Sequence, residues 1–312
     1  MYALYNKGGI YRKWYGNLEY VIKFDEENYS KLLTMGNHLP SRKYYFEKGI
    51  TWSLFGFENF GVRYKDYGYV FDVSGSSMFP KDEDLYYVIG YLCSNVCFKF
   101  LSCLAPTVNF QVGNIASLPF KITDDLQVRK KIDSLVQENI EICGEEWSFY
   151  ETNMEFSAHP FAKFQGKRVE EIVQNFEEYY QELRNRLRKN EEELNGIYAE
   201  IFGVTGDIDC SVNDRDLTIK PFDRLEFLKS YLSYLVGCSV KRYDLKNLTQ
   251  DYSKCRYEID LGKIAVDVKE RLSTKDIEYI EKNMNKTIEK FYQKDFLKYH
   301  EKMYQGKPIY FA

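Results

Sequence analysis

Histidine is scarce in this 312-residue chain, and its three copies, His38, His159 and His300, stand far apart. None has a companion motif, so each reads as a surface or packing residue before a proton shuttle. A glycine-rich phosphate loop and a dinucleotide fingerprint are both missing. Gly36, Gly61 and Gly68 are too scattered to cradle a phosphate chain, which argues against the common nucleotide-binding enzymes. Seven cysteines, at 93, 97, 103, 143, 210, 238 and 255, include no CxxC pair. Their odd number and loose spacing fit reduced thiols in core positions better than a disulfide or metal framework. No run of about 18 apolar residues exists to cross a membrane, and no signal peptide precedes Tyr2. The expectation is a cytoplasmic protein with no membrane association. A net charge of −4 excludes a histone-like polycation.

Aromatic residues are abundant, at 17% of the chain, within an apolar fraction of 44%. A real core in one or two domains follows. Charge is unevenly spread: residues 1–122 hold 13 Lys/Arg against 11 Asp/Glu, whereas residues 123–312 hold 30 against 36. A polyanion site therefore belongs in the first part, concentrated rather than diffuse. The densest stretch is Asn6-Lys7-Gly8-Gly9-Ile10-Tyr11-Arg12-Lys13-Trp14-Tyr15-Gly16-Asn17. Glycines let a backbone approach a ligand, cations meet phosphates, and rings or amides meet bases or sugars. A β-hairpin with a glycine turn and solvated lysines explains the same residues.

Along the chain, Leu18–Phe24 alternates as a half-buried strand. Residues 28–39 read as a short helix or loop. Aromatic and β-branched runs between Lys43 and Val73, punctuated by glycines, predict three or four strands. Gly75, among Ser74, Ser76 and Ser77, predicts a loop offering amides and hydroxyls. Asp82-Glu83-Asp84 starts a buried helix over 85–104, and residues 107–112 return to strand alternation before a turn at 113–119. Helical period then takes over at 126–142, with an aromatic connector over 145–160. Val169, Val173, Phe176, Tyr180, Leu183, Leu187, Asn190, Leu194, Ile197 and Ile201 form a heptad seam on a helix of about 168–202, packed on its own domain or paired, as in a coiled coil, with another helix of the same protein or of a partner. Further helices are expected over 222–236 and, from a capping box at Ser273-Thr274-Lys275-Asp276, to about 303. The sequence thus predicts an α+β fold, with a β-rich domain over 1–122 and a helical domain over 123–312.

Catalytic chemistry is thin. Glu258, Asp260, Asp267 and Lys269 could be drawn as the metal-binding acids and lysine of a nuclease, and a solvated charged segment explains them equally. Methyl transfer to an adenine amine would need an Asn-Pro-Pro-Tyr type loop and a glycine-rich cofactor turn, and neither occurs.

Several stretches together nevertheless resemble one family: residues 6–17, Gly49-Ile50-Thr51-Trp52-Ser53, residues 71–77, Asn109 through Pro119, Trp147 to Phe156, His159-Pro160, residues 190–195, Tyr234 to Cys238 with Arg242-Tyr243, and residues 307–310. They look like the target-recognition and carboxyl-terminal region of PglX-type adenine-specific DNA methyltransferases of BREX phage defence, whose layout type IIG restriction-modification enzymes share. The resemblance implies a DNA target-recognition fragment, not catalytic alone. The methyltransferase domain that would precede it, and that domain's S-adenosylmethionine, are expected outside this sequence; no cofactor or metal is expected within it. Implied partners are double-stranded DNA and the methyltransferase domain or other defence proteins. Implied DNA contacts are Lys7, Arg12, Lys13, Tyr15 and Asn17, a positive surface from Arg42, Lys43, Lys48 and Arg63, phosphate binding by Ser74, Ser76 and Ser77, and base reading by Asn109 and Gln111, which turn hydrogen bonding explains at least as well. Trp14, Trp52 and Phe110 read as core. A helical docking module of a defence complex, or a metal-dependent nuclease, are the alternative functions.

Overall fold

The computed structural model describes residues 1–35, 39, 41–56, 59–104, 109–164, 166–244, 249–250 and 259–306. His38, Cys255, Glu258 and the run 307–310 lie outside the described residues. Two compact units account for the fold: Met1–Trp147 with Leu183–Lys220, and Ser148–Glu182 with Pro221–Ala312. They do not divide at residue 122. The reason is packing: helix α5 (Leu126–Trp147) lies against α2 (Leu85–Leu92) within the first unit.

The first unit is mixed α and β, and the second is largely helical, so the chain is α+β. In the first unit, β1 (Tyr2–Asn6) pairs antiparallel with β2 (Tyr20–Lys23), Tyr5 opposite Tyr20, and parallel with β5 (Tyr69–Phe71), Asn6 beside Phe71. A second sheet places β3 (Gly49–Trp52) between β4 (Val62–Lys65) and β6 (Ser77–Met78). Strand β3 is buried along its whole length, which explains its Ile50 and Trp52. Helix α1 (Glu26–Thr34) follows β2, capped by the Asp25 carboxylate accepting from Asn28 N at 3.0 Å.

Three expected elements differ. The helix over 85–104 is two helices, α2 and α3 (Asn95–Leu104), bent by 73°. Ser94 explains the break: its hydroxyl donates to Tyr91 O at 2.7 Å and accepts from Cys97 N at 3.2 Å, ending one helix and capping the next. In place of a strand ending at 112, Asn109 makes a lone bridge with Phe55, and Gln111 is the N-cap of the short helix α4 (Val112–Ala116). Residues 107 and 108 lie outside the described residues. The helix expected to run from 274 to 303 stops at Met284, where Asn285 takes a left-handed conformation (φ 50°).

Helix α7 (Val169–Phe202) has the predicted extent. Its seam is buried within the chain from Val169 through Leu194, with Ile197 and Ile201 half-buried. The polar seam residue, Asn190, donates to Asn139 Oδ1 at 3.0 Å. The seam thus packs within the chain, with Asn190 against helix α5. Residues through Glu182 belong to the second unit and those from Leu183 to the first.

The second unit is built on aromatic rings. Phe176 stacks on Phe227 at 4.7 Å and meets Phe149 edge-on at 5.3 Å, so the connector after Trp147 is held by its rings. Around this cluster lie α6 (Pro160–Lys163), α8 (Arg224–Ser239), the short pair β7 (Tyr243–Asp244) and β8 (Thr249–Gln250), α9 (Leu261–Arg271), α10 (Thr274–Met284) and α11 (Ile288–Lys290). A π-turn, Phe291–Asp295, leads into α12 (Phe296–Met303). Ser273 caps α10 as expected, accepting from Asp276 N. Among the described residues, no single helix is long and apolar enough to cross a membrane.

Candidate functional site

The stretch 6–17 leaves β1 and returns toward β2, so the strands flanking it do pair as a hairpin, but the segment between them is an ordered loop. Asn6 anchors it. Its buried amide donates to Thr51 Oγ1 at 2.5 Å and to Gly75 O at 3.0 Å, joining three segments of the first unit. Gly8 has φ 77°, and a Cβ there would lie 2.4 Å from Ser74 O. Gly8→Ala should therefore cost about 2 kcal/mol or more, read as a lower urea midpoint at unchanged slope.

Arg12 and Lys13 were expected to meet phosphate or guanine, and the structure corrects both. Arg12 is buried, with Nη2 2.6 Å from Glu146 Oε2 and its guanidinium 4.8 Å from the Trp147 ring centre. Lys13 is buried with Nζ 2.8 Å from Glu191 Oε2, while the other oxygen of Glu191 accepts from Trp14 Nε1 at 2.7 Å. Burial alone would pull the Lys13 ammonium down, but the Glu191 carboxylate outweighs it and holds it above the usual lysine value. Trp14, at φ 70°, runs beside β4: its N donates to Val62 O and its O accepts from Tyr64 N, both at 2.8 Å. The cations here fasten the loop to helices α5 and α7.

Burial also removes other expected contacts. Asn17 is buried and donates to Ile10 O at 2.8 Å, closing the loop on itself. Arg63 is 1% exposed. Its Nη1 reaches Ser53 Oγ at 3.4 Å, and burial with the nearby Arg12 charge lowers its pKa to about 10. Lys48 is paired with Asp82 at 3.0 Å. The serine loop does not offer its amides to an anion, because Asp72 Oδ1 accepts from Ser74 N at 2.8 Å and Gly75 N at 3.2 Å. Ser76 Oγ donates to Val73 O and Ser77 Oγ to Gly75 O. A carboxylate already sits where a phosphate was expected. Asn109 is half-buried.

What is left exposed is narrower: Lys7, Gly9 and Ile10 at the loop tip, Arg42 and Lys43 on a 3₁₀ turn, and Gln111 at the start of α4. Tyr15 is half-buried. Trp14, Trp52 and Phe110 are core residues, as expected; Trp52 Nε1 donates to Phe110 O at 2.8 Å. The framework carboxylates Glu146 and Glu191 are not apparent as such in the sequence. Their signal is their position on apolar helix faces, where an acid needs a buried partner.

Two residues of the nuclease alternative are engaged otherwise. Asp260 caps α9, accepting from Gly262 N at 2.9 Å and Lys263 N at 3.0 Å, and Lys269 pairs with Glu289. Among the described residues, no group of three or more His, Cys, Asp or Glu is placed to hold a metal ion.

No family model matches the chain. It is 30% identical over 254 residues to the adenine-specific methyltransferase PglX of Lacticaseibacillus casei (strain Zhang), covering 77% of this chain and 21% of that protein. It is 27% identical over 259 residues to the adenine-specific methyltransferase BrxX of Escherichia coli O9:H4 (strain HS), with the same coverage of 77% and 21%. The chain is thus related to the PglX/BrxX adenine-specific methyltransferases and spans about a fifth of their length.

Proposed function

We propose that this chain supplies DNA target recognition to an adenine-specific methyltransferase of a phage-defence or restriction-modification system. The observation that carries the reading is the relationship to two adenine-specific methyltransferases across 77% of the chain. The braced loop 6–17 supports it. Lys7, Arg42 and Lys43 would meet phosphates, setting register and salt-dependent affinity, and Gln111 would read a base edge. The residues present do not fit S-adenosylmethionine, since the sequence has neither a glycine-rich cofactor turn nor an Asn-Pro-Pro-Tyr loop. In this reading, methyl transfer belongs to a catalytic domain, and this chain brings it to the right site.

Fluorescence anisotropy with a randomised duplex pool, followed by sequencing of the bound fraction, tests the proposal. Salt-sensitive binding and one enriched motif are expected. The triple variant Lys7→Ala, Arg42→Ala, Lys43→Ala should flatten the log–log salt slope by about 0.9 for each phosphate that is no longer neutralised. Absence of binding at low salt, or a slope unchanged in the triple variant, would remove DNA from the reading.

A further inference from the structure

Within the first unit, a cavity of about 260 Å³ opens beside the recognition loop. It is lined by Tyr11, Phe60, Phe98, Asn95, Asn213 and Asp216, with Arg215 among its other walls. This volume lies just below the roughly 300–1,000 Å³ of ordinary small-molecule clefts, which limits an occupant to a small ring system.

The polar groups are placed by the chain itself. Asp216 Oδ1 accepts from Asn59 Nδ2 at 3.0 Å, and Oδ2 takes a long contact of 3.5 Å from Asn213 Nδ2. Its backbone oxygen accepts the Tyr11 hydroxyl at 2.9 Å. The carboxylate thus faces two amides, with its side chain a quarter exposed. A carboxylate offers about four lone-pair directions, so acceptor capacity remains beyond these two bonds. Asn95 is fixed as well: its amide donates to Asp209 O at 2.7 Å. Arg215 has a 77% exposed side chain, with Nε 3.8 Å from Asp216 Oδ1.

A fixed carboxylate among aromatic rings, with a guanidinium at the opening, suits a flat heterocycle that presents two adjacent N–H donors and carries a phosphate. Guanine has that donor pair at N1 and N2, whereas adenine offers only its exocyclic amine on that edge. Rings such as Phe60, Phe98 and Tyr11 provide stacking surface. We infer that this cavity binds a guanine base, with Asp216 accepting from its N1–H and N2–H groups and Arg215 meeting the attached phosphate. The base comes either from a free guanine nucleotide or from a guanine in a polynucleotide.

The test is a titration of the full chain with guanosine 5′-monophosphate, followed by calorimetry and by amide chemical shifts. Binding is expected, with adenosine 5′-monophosphate about tenfold weaker or worse. Asp216→Asn, which turns an acceptor into a donor, should lower the guanine nucleotide affinity by a similar factor. Arg215→Ala should weaken the monophosphate and spare guanosine; Phe98→Ala should weaken both. Thermal unfolding of each variant separates impaired binding from impaired folding. Competition by a single-stranded oligonucleotide with one guanine assigns the base to a polynucleotide, and retained nucleotide binding without competition assigns it to a free nucleotide. No binding at millimolar nucleotide, equal binding of the adenine nucleotide, or full affinity in folded Asp216→Asn overturns the inference. The Lys7, Arg42 and Lys43 triple variant should keep the guanine site, so failure of either proposal leaves the other standing.

Discussion

Glu191→Ala is expected to destabilise the first unit by about 3–5 kcal/mol and to lower its Tm by about 10 °C. The size follows from what the substitution leaves behind. The Lys13 and Glu191 side chains are 6% and 2% exposed, so neither charge is solvated, and screening by water cannot discount the pair as it would at a surface. Removing the carboxylate strands the Lys13 ammonium and takes the acceptor from Trp14 Nε1. Glu191→Gln keeps an acceptor for the indole yet still strands the charge, so it should recover only about 1 kcal/mol. Lys13→Met combined with Glu191→Gln removes the charge and keeps the indole bond. Most of the stability should return, because replacing a buried pair is far less costly than breaking one. Urea unfolding of the parent, Lys13→Met, Glu191→Gln and the double variant closes the cycle. If Glu191→Ala cost under about 1 kcal/mol, water would be reaching Lys13, and the loop would not be braced in the way described.

The same ion pairs mark the limit of sequence reasoning. The importance of residues 6–17 was legible, because glycines, cations and rings rarely crowd so closely without a demanding backbone. The extent of α7, the cap at Ser273 and the core roles of Trp14 and Trp52 were legible too, since local pattern determines them. The roles of Arg12 and Lys13 were not. A cation reads as a ligand contact until its partner is known, and their partners lie at Glu146 and Glu191, far away in sequence. Asp72 misled in the opposite way. Two residues before Ser74, it satisfies the amides of a loop that composition alone assigns to phosphate. The break at Ser94 has a local cause, but a serine hydroxyl that ends one helix and caps the next looks in sequence like any helical serine.

Acid is expected to unfold the second unit well above the ordinary carboxylate range, through its buried histidines. His159 Nδ1 accepts from Phe161 N at 3.1 Å, and Nε2 lies 3.0 Å from Ser230 Oγ, a hydroxyl that itself donates to Phe227 O. This network fixes the neutral ring with its proton on Nε2, and protonating Nδ1 would set two donors against each other. Burial accordingly lowers His159 to about 3, and burial with the Arg242 charge lowers His300 to about 4. Both folded values lie below the unfolded value of about 6.5, so the unfolded chain binds protons that the folded unit refuses. Stability is complete above about pH 6.5 and falls as pH drops, by about 1.4 kcal/mol per pH unit for each histidine and about 2–3 for the two together. Glu171, lowered by the Lys167 amide and Arg168, and Glu289, lowered by Lys269, contribute only below the ordinary carboxylate range. Urea unfolding between about pH 7 and 5 therefore separates the histidines from these lowered carboxylates. His159→Asn keeps a helix cap and removes one titration, and the slope should fall by about half even though giving up the ring packing against Phe227 lowers stability at neutral pH. An unchanged slope in His159→Asn would mean that the acid sensitivity arises elsewhere in the chain.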